Sequence, residues 1–433
     1  MGTTTESSVI DTLLSLPAIR HRAGIVYEAA KQGTLNNFDF HPEALPKAAD
    51  LVASIISRDF GPERFSHIPP HGRWQHFEVG AIPRVSHLLH EWKTEGVDDF
   101  ECTRRLIDLF FVSVLLDAGA GDSWLYTEPE TGLKFGRSEG LAVASLYLYQ
   151  NGRFGSSADG AVTVNGRGLQ GLTEAVLSQG MQVSSENPLT GLEPRAKLLQ
   201  AFGASLLVHP QYFGDEGRPG NLVDYLTSRQ SGQKALQVVD LWNILQSLLI
   251  PIWPKDRTRV FGEPVGDAWP LKCLGDSVEM KSTDDRVANI QPFHKLTQWL
   301  AFSLMVPFER VLGYTWQGSN LLTGLPEYRN GGLFVDTGVL TLKPEVLKRG
   351  QKVSGTALPM FEVADDAIVE WRALTVALLD EMHGLVSQRL PLSLSMAQVL
   401  EAGTWKAGRE LAAQHRPETR SSPILVKSDG TVF

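Results

Sequence analysis

Residues 292–338 read PFHKLTQWLAFSLMVPFERVLGYTWQGSNLLTGLPEYRNGGLFVDTG. His294, Lys295 and Gln298 stand at the start of an apolar helix, and a Gly-, Ser- and Asn-rich loop leads from it to the acid, phenol and guanidinium of Glu327, Tyr328 and Arg329. Offsets of three and four residues place His294, Lys295 and Gln298 on one helix side. Trp299, Leu300, Phe302, Leu304 and Met305 supply a core beside them. A lysine against such a core has its pKa lowered by desolvation unless a carboxylate such as Glu327 compensates. A structural ion pair at a helix end is the plain alternative.

The same helical spacing recurs along the chain. Apolar residues repeat every three or four positions over 10–31, 42–58, 99–116, 191–208, 222–229, 235–249, 365–389 and 395–414, with the first segment interrupted at Pro17. Strand signals are short, at 162–164, 333–335 and 424–426. The expectation is a mainly α protein with a few short strands. At 433 residues it exceeds the size of one small core. We expect one enlarged helical unit, 1–433, with two lobes: 1–135 plus the C-terminal helices, and 136–340 carrying Lys295 and Glu327.

A hydrophobic content of 42% and a charged content of 21% are ordinary globular values. The net charge of −9 argues against a nucleic-acid polymer as partner, because phosphate backbones need clustered cations. The longest apolar run, 109–116, is too short for a bilayer, and the first residues lack a signal peptide's pattern. A cytoplasmic protein with no membrane partner is expected. Cys102 and Cys273 have no metal-type spacing and are expected in the core as free thiols. The oligomeric state is left open by the sequence.

Three further polar clusters stand out. The loop 66–77 holds His67, His71, Arg73, Trp74 and His76. It suits an anion or substrate pocket through Arg73 with His71 or His76, or a zinc or iron site built from His67, His71 and His76, with Asp117. The stretch 117–124 carries Asp117 and Trp124 around small residues, without the ending of a nucleotide-binding P-loop. In 401–410 the small residues permit close helix packing, and Arg409 can reach a ligand. Residues 151–171 are Gly-, Ser- and Asn-rich and suit a lid.

PPHGRWQHF, LLDAGAGDSW, GRSEGLAVAS, PFHKLTQWLAFSL, LTGLPEYRNGGLFVDTGVL, GTWKAGRE and the SDGTVF end together resemble the uracil catabolism protein 4 family. That resemblance implies a role in uracil degradation through a ribosylated urea. A more distant similarity is to the queuosine salvage proteins, helical DNA-glycosylase-like hydrolases of the N-glycosidic bond of a nucleoside monophosphate. Their Tyr-Lys-x-x-Gln, Asp-Tyr-Arg and Asp-x6-Trp motifs match His294-Lys295-x-x-Gln298, Glu327-Tyr328-Arg329 and Asp117-x6-Trp124, in the same order. Glu at 327 and His at 294 depart from that pattern, as does Ala120-Gly121 where the salvage motif has Asn-Phe.

The resemblance implies hydrolysis of an N-ribosyl bond in a small phosphorylated ribosylurea-like or pyrimidine-derived compound, with no cofactor. Glu327 and Lys295 would be catalytic, and His294, Gln298, Tyr328, Arg329, Asp117, Trp124, Arg73, His71, His76 and Arg409 would bind substrate. The alternatives are a zinc- or iron-dependent amide or urea hydrolase on the histidine loop and a non-catalytic pathway partner. Some relatives carry the label uracil phosphoribosyltransferase, which needs an α/β sheet and an acidic pyrophosphate loop that this sequence lacks.

Overall fold

Two helices begin the chain, Glu6–Leu14 and Leu16–Lys31, and the break between them falls at Ser15. Pro17 lies in the first turn of the second helix, where a missing N–H costs nothing, so the break precedes the proline. The computed structural model describes residues 6–117, 123–156, 162–229, 232–253, 257–282 and 284–427.

Among the described residues the architecture is mainly helical. All sheets are two-stranded and built from strands of two or three residues. The apolar periodicity explains the helices. Asp99–Leu115, capped by the Asp98 side chain on the Glu101 N–H, is buried on nearly every side from Leu106 onward and is the central element. Lys295–Arg310 and Arg137–Gln150 pack against it. Leu16–Lys31 packs on Asp366–Ser387, and Tyr328–Asp336 packs on Trp405–His415.

Three local expectations are corrected. Residues 333–335 are helical, inside Tyr328–Asp336, because the cap at Glu327 and packing on Trp405–His415 override their β preference. Residues 162–164 form no strand, while Ala235–Gln237 precedes the helix Val238–Leu249 as a strand paired with Thr315–Gln317. The C-terminal helical segment contains a π-helical turn at Leu400–Thr404. Leu425–Lys427 is a strand, parallel to Met360–Glu362. Within 151–171 lies a short helix, Gly166–Gln170; the rest of the expected lid includes 157–161, outside the described residues.

One connected apolar core runs from Leu16 to Ile424 and draws residues from both expected lobes. A smaller cluster of Leu13, Val260, Val265, Ala268, Val287 and Ile290 lies beneath the first helix. Cys102 and Cys273 are buried and unpaired. No helix among the described residues is long and apolar enough to cross a membrane.

Candidate functional site

His294 leads into the helix Lys295–Arg310 with left-handed backbone angles, φ 46° and ψ 42°. It therefore lies outside the helix, and the four-residue offset that would align it with Gln298 does not apply. Its ring is buried: Nε2 lies 3.1 Å from the Leu13 carbonyl oxygen, and Trp242 meets the ring edge-on. Burial lowers its pKa. Gln298 is fully buried and closed on protein groups, accepting from the Thr323 N–H at 2.8 Å and donating to Thr323 Oγ1 and the Phe293 carbonyl. These two side chains fasten the entry to the helix instead of sharing a ligand-facing side with Lys295.

Lys295 is held differently. Its backbone N–H donates to Asp267 Oδ2 at 2.9 Å. Burial pushes the ammonium's pKa below the ordinary lysine value, Glu327 opposes that most strongly, Arg372 adds to the lowering, and Asp267 and Asp117 pull upward. Asp267 itself is saturated: Arg372 donates to both oxygens at 2.8 Å and Trp269 Nε1 donates at 2.7 Å. Burial favours a neutral Asp267, but the Arg372 guanidinium and these bonds win and hold it well below the usual carboxylate range.

Glu327 is the N-cap of Tyr328–Asp336. One carboxylate oxygen accepts from the Arg329 N–H at 2.8 Å and the other from the Asn330 N–H at 2.6 Å. The helix start and Lys295 surround it with positive charge. Burial raises the Tyr328 phenol's pKa; Arg329 lowers it, and Glu327 and, more weakly, Asp117 raise it further. Asp117 is remote in sequence, yet its field reaches Lys295, Tyr328 and His76. Lys295, Glu327, Tyr328 and Asp117 thus form one electrostatic cluster.

Arg73 corrects the expected anion wall. It is fully buried, and its guanidinium donates to Ser113 Oγ, the Ser113 carbonyl, the Ser138 carbonyl and Asp117 Oδ2, the last at 2.8 Å. With its donor fork spent on protein oxygens it cannot clamp a phosphate, and it sets the position of Asp117 instead.

The three loop histidines diverge. His67 is exposed, while His71 is buried with Nδ1 2.6 Å from Glu401 Oε2. His76 is buried between Trp299 and Trp405, and burial, with Arg73 nearby, lowers its pKa to about 4. Among the described residues no group of three or more His, Cys, Asp or Glu side chains is placed to hold a metal ion. The His67, His71 and His76 ligand set is therefore split by burial.

Trp124 is buried and donates to the Met181 carbonyl. Arg409 pairs with Glu139 at 2.6 Å and lies over the Trp405 ring. Its neighbour Gly408 abuts the Arg329 backbone so closely that a Cβ would overlap the carbonyl, which is the close packing that the small residues in this stretch suggest.

Sequence reasoning missed Asp267, Arg372, Glu139, Thr404 and Asn330, and it assigned Trp299 only to the core. Trp299 had a signal, since it is one turn beyond Lys295. Its Nε1, His76 Nδ1, Asn330 Oδ1 and Thr404 Oγ1 are buried polar atoms that find no hydrogen-bond partner among the described residues. Such atoms need an explanation. Two of them, on His76 and Trp299, belong to rings in contact at 5.4 Å, and Thr404 ends a π-helical turn, a feature often found at functional sites.

Fold and site together define a mainly helical protein with a half-buried cluster of lysine, phenol and carboxylates. Comparison with known proteins narrows this. The family described as "Protein of unknown function (DUF1688)" matches residues 12–433, and the chain belongs to it. It is 48% identical over 431 residues to "Protein urg3" of Schizosaccharomyces pombe, covering 99% of this chain and 100% of that relative. It is 47% identical over 433 residues to "Uracil catabolism protein 4" of Lachancea kluyveri, covering 97% and 98%.

Proposed function

We propose that this chain is a uracil-catabolism enzyme that hydrolyses the N-glycosidic bond of a small phosphorylated ribosyl compound, of the ribosylurea or pyrimidine-nucleotide kind. The name of the Lachancea kluyveri relative supports the pathway. The reaction rests on one observation: Lys295 lies in the fields of Glu327 and Asp117, and among the described residues Glu327 is tied only by backbone N–H groups.

In this reading the bond from ribose C1′ to the leaving nitrogen breaks with its electron pair departing on nitrogen, leaving an oxocarbenium-like centre. A carboxylate beside that centre stabilises its charge and takes a proton from the attacking water, whose oxygen bonds to C1′. The leaving nitrogen gains a proton in exchange. Glu327 has the role of that carboxylate. Lys295 balances Glu327 before positive charge develops on the sugar, and its lowered pKa also suits it to attack as an amine. The two-stranded sheets of the described residues offer no central α/β sheet for a phosphoribosyltransferase of the common type.

The test is to incubate purified protein with ribosylurea 5-phosphate and with uridine monophosphate, and to assay released urea and uracil. Release of either by wild type, lost in Glu327→Gln, supports the proposal. Intact substrates with demonstrable binding would point to a non-catalytic pathway partner. Borohydride trapping of a Lys295 imine separates attack by the amine from activation of water.

A further inference from the structure

Five cations and one carboxylate line a single cavity of about 380 Å³: Lys134, Arg137, Arg329, Arg409, Arg420 and Glu139. In a chain of net charge −9 this is a local reversal of sign, so the overall charge says nothing about what this cavity accepts. The volume is within the range of small-ligand sites.

The cations are not all spent on the protein. Arg329 is only 6% exposed, yet among the described residues its guanidinium donates no hydrogen bond and forms no ion pair; it lies 4.9 Å from the centre of the Tyr328 ring. Arg73 shows what a buried guanidinium looks like when the protein itself satisfies it. Arg137 and Arg420 hold φ of 54° and 51°, the left-handed region that side-chain-bearing residues rarely adopt and that tends to occur at functional sites. Arg409 is balanced by Glu139.

We infer that this cavity is a phosphate subsite that takes the phosphoryl end of the substrate, with Arg329 as its buried anchor and Arg137, Arg409 and Arg420 at its rim. Guanidinium groups match a phosphoryl group's oxygens in forked geometry. Arg329 follows Glu327 by two residues at the same helix start, so phosphate captured here directs the attached sugar toward the Glu327 carboxylate. The inference rests on the reading of the substrate as a phosphorylated riboside.

The experiment titrates the full chain with inorganic phosphate calorimetrically at constant ionic strength, with chloride as control. Arg137→Gly and Arg420→Gly each remove a cation while relieving a positive φ, so both variants should fold. Saturable binding to wild type is expected, weakened roughly fivefold to tenfold by each variant, as for loss of one charge-assisted contact at a solvated rim. Where turnover is measured, phosphate should raise the apparent KM and leave kcat unchanged. No saturable binding, equal binding by both variants and wild type, or inhibition that lowers kcat alone would each overturn the subsite. Phosphate binding that the variants weaken, without cleavage of any phosphorylated riboside, keeps the cavity as a phosphate site and removes the glycosidase reading. Equal cleavage of phosphorylated and unphosphorylated ribosides without phosphate competition does the reverse.

Discussion

Two carboxylates stand at the starts of two helices, and they are finished differently. Asp267 serves the helix Lys295–Arg310 and has its oxygens taken by Arg372, Trp269 and the Lys295 N–H. Glu327 serves Tyr328–Asp336 with one backbone N–H per oxygen and, among the described residues, no cationic hydrogen bond, while its field acts on Lys295. The arginines repeat the contrast among the described residues, Arg73 spent and Arg329 unspent. A saturated buried charge holds the fold, whereas an unsaturated one retains bonding capacity for a ligand. Both kinds occur within one site, so burial alone does not separate them.

The comparison breaks most visibly at Glu327. Glu327→Gln should lose roughly 10²–10⁴-fold in kcat through the missing base, with loss of charge stabilisation adding to that. Gln keeps one cap acceptor of two, so the stability cost should be only about 1 kcal/mol, measurable by urea unfolding. Near-full turnover by this variant would make both carboxylates structural. Asp267→Asn should show the opposite pattern, losing about 3–5 kcal/mol of stability because the buried Arg372 guanidinium loses its opposing carboxylate charge. A stably folded, inactive Asp267→Asn protein would erase the distinction.

His76 adds a pH test. Its folded pKa of about 4 lies below the usual 6.5, so stability is fully present above pH 6.5 and declines as pH falls toward 4, where the folded state also takes up the proton. That decline is about 3 kcal/mol between pH 7 and pH 4, and His76→Gln should remove it from the unfolding profile. An unchanged profile would show that His76 does not resist protonation. The mildest expected effect is at Gly408→Ala, where the added Cβ presses on the Arg329 carbonyl. It should cost about 1–3 kcal/mol and weaken phosphate binding by displacing Arg329. Unchanged stability would show that the two helices separate easily.

The helices were legible because their apolar spacing is local and repeats; the assignments at 191–208, 222–229 and 365–389 match the observed helices within about two residues at each end. The lysine at 295 was legible as a residue type that burial perturbs, and the acid at 327 as the charge that opposes it. Their partners were not. Asp267 and Arg372 lie in segments without any motif, and what joins them is a meeting of distant chain segments. His294 was misjudged because one residue in the left-handed region turns its ring away from the helix face, and periodicity does not register a dihedral angle.

What the sequence by itself determined is therefore the class of fold, the free and buried cysteines, the close packing around Gly408 and the identity of the polar residues from which a site can be built. Tertiary structure alone decided which of those residues are spent. Whether Arg73 grips a ligand or Asp117, whether Gln298 faces a cleft or Thr323, and whether five cations converge in one cavity depend on segments remote in the chain. Apolar periodicity is written in neighbours three and four apart, but hydrogen-bond saturation depends on whichever groups folding brings within about 3 Å.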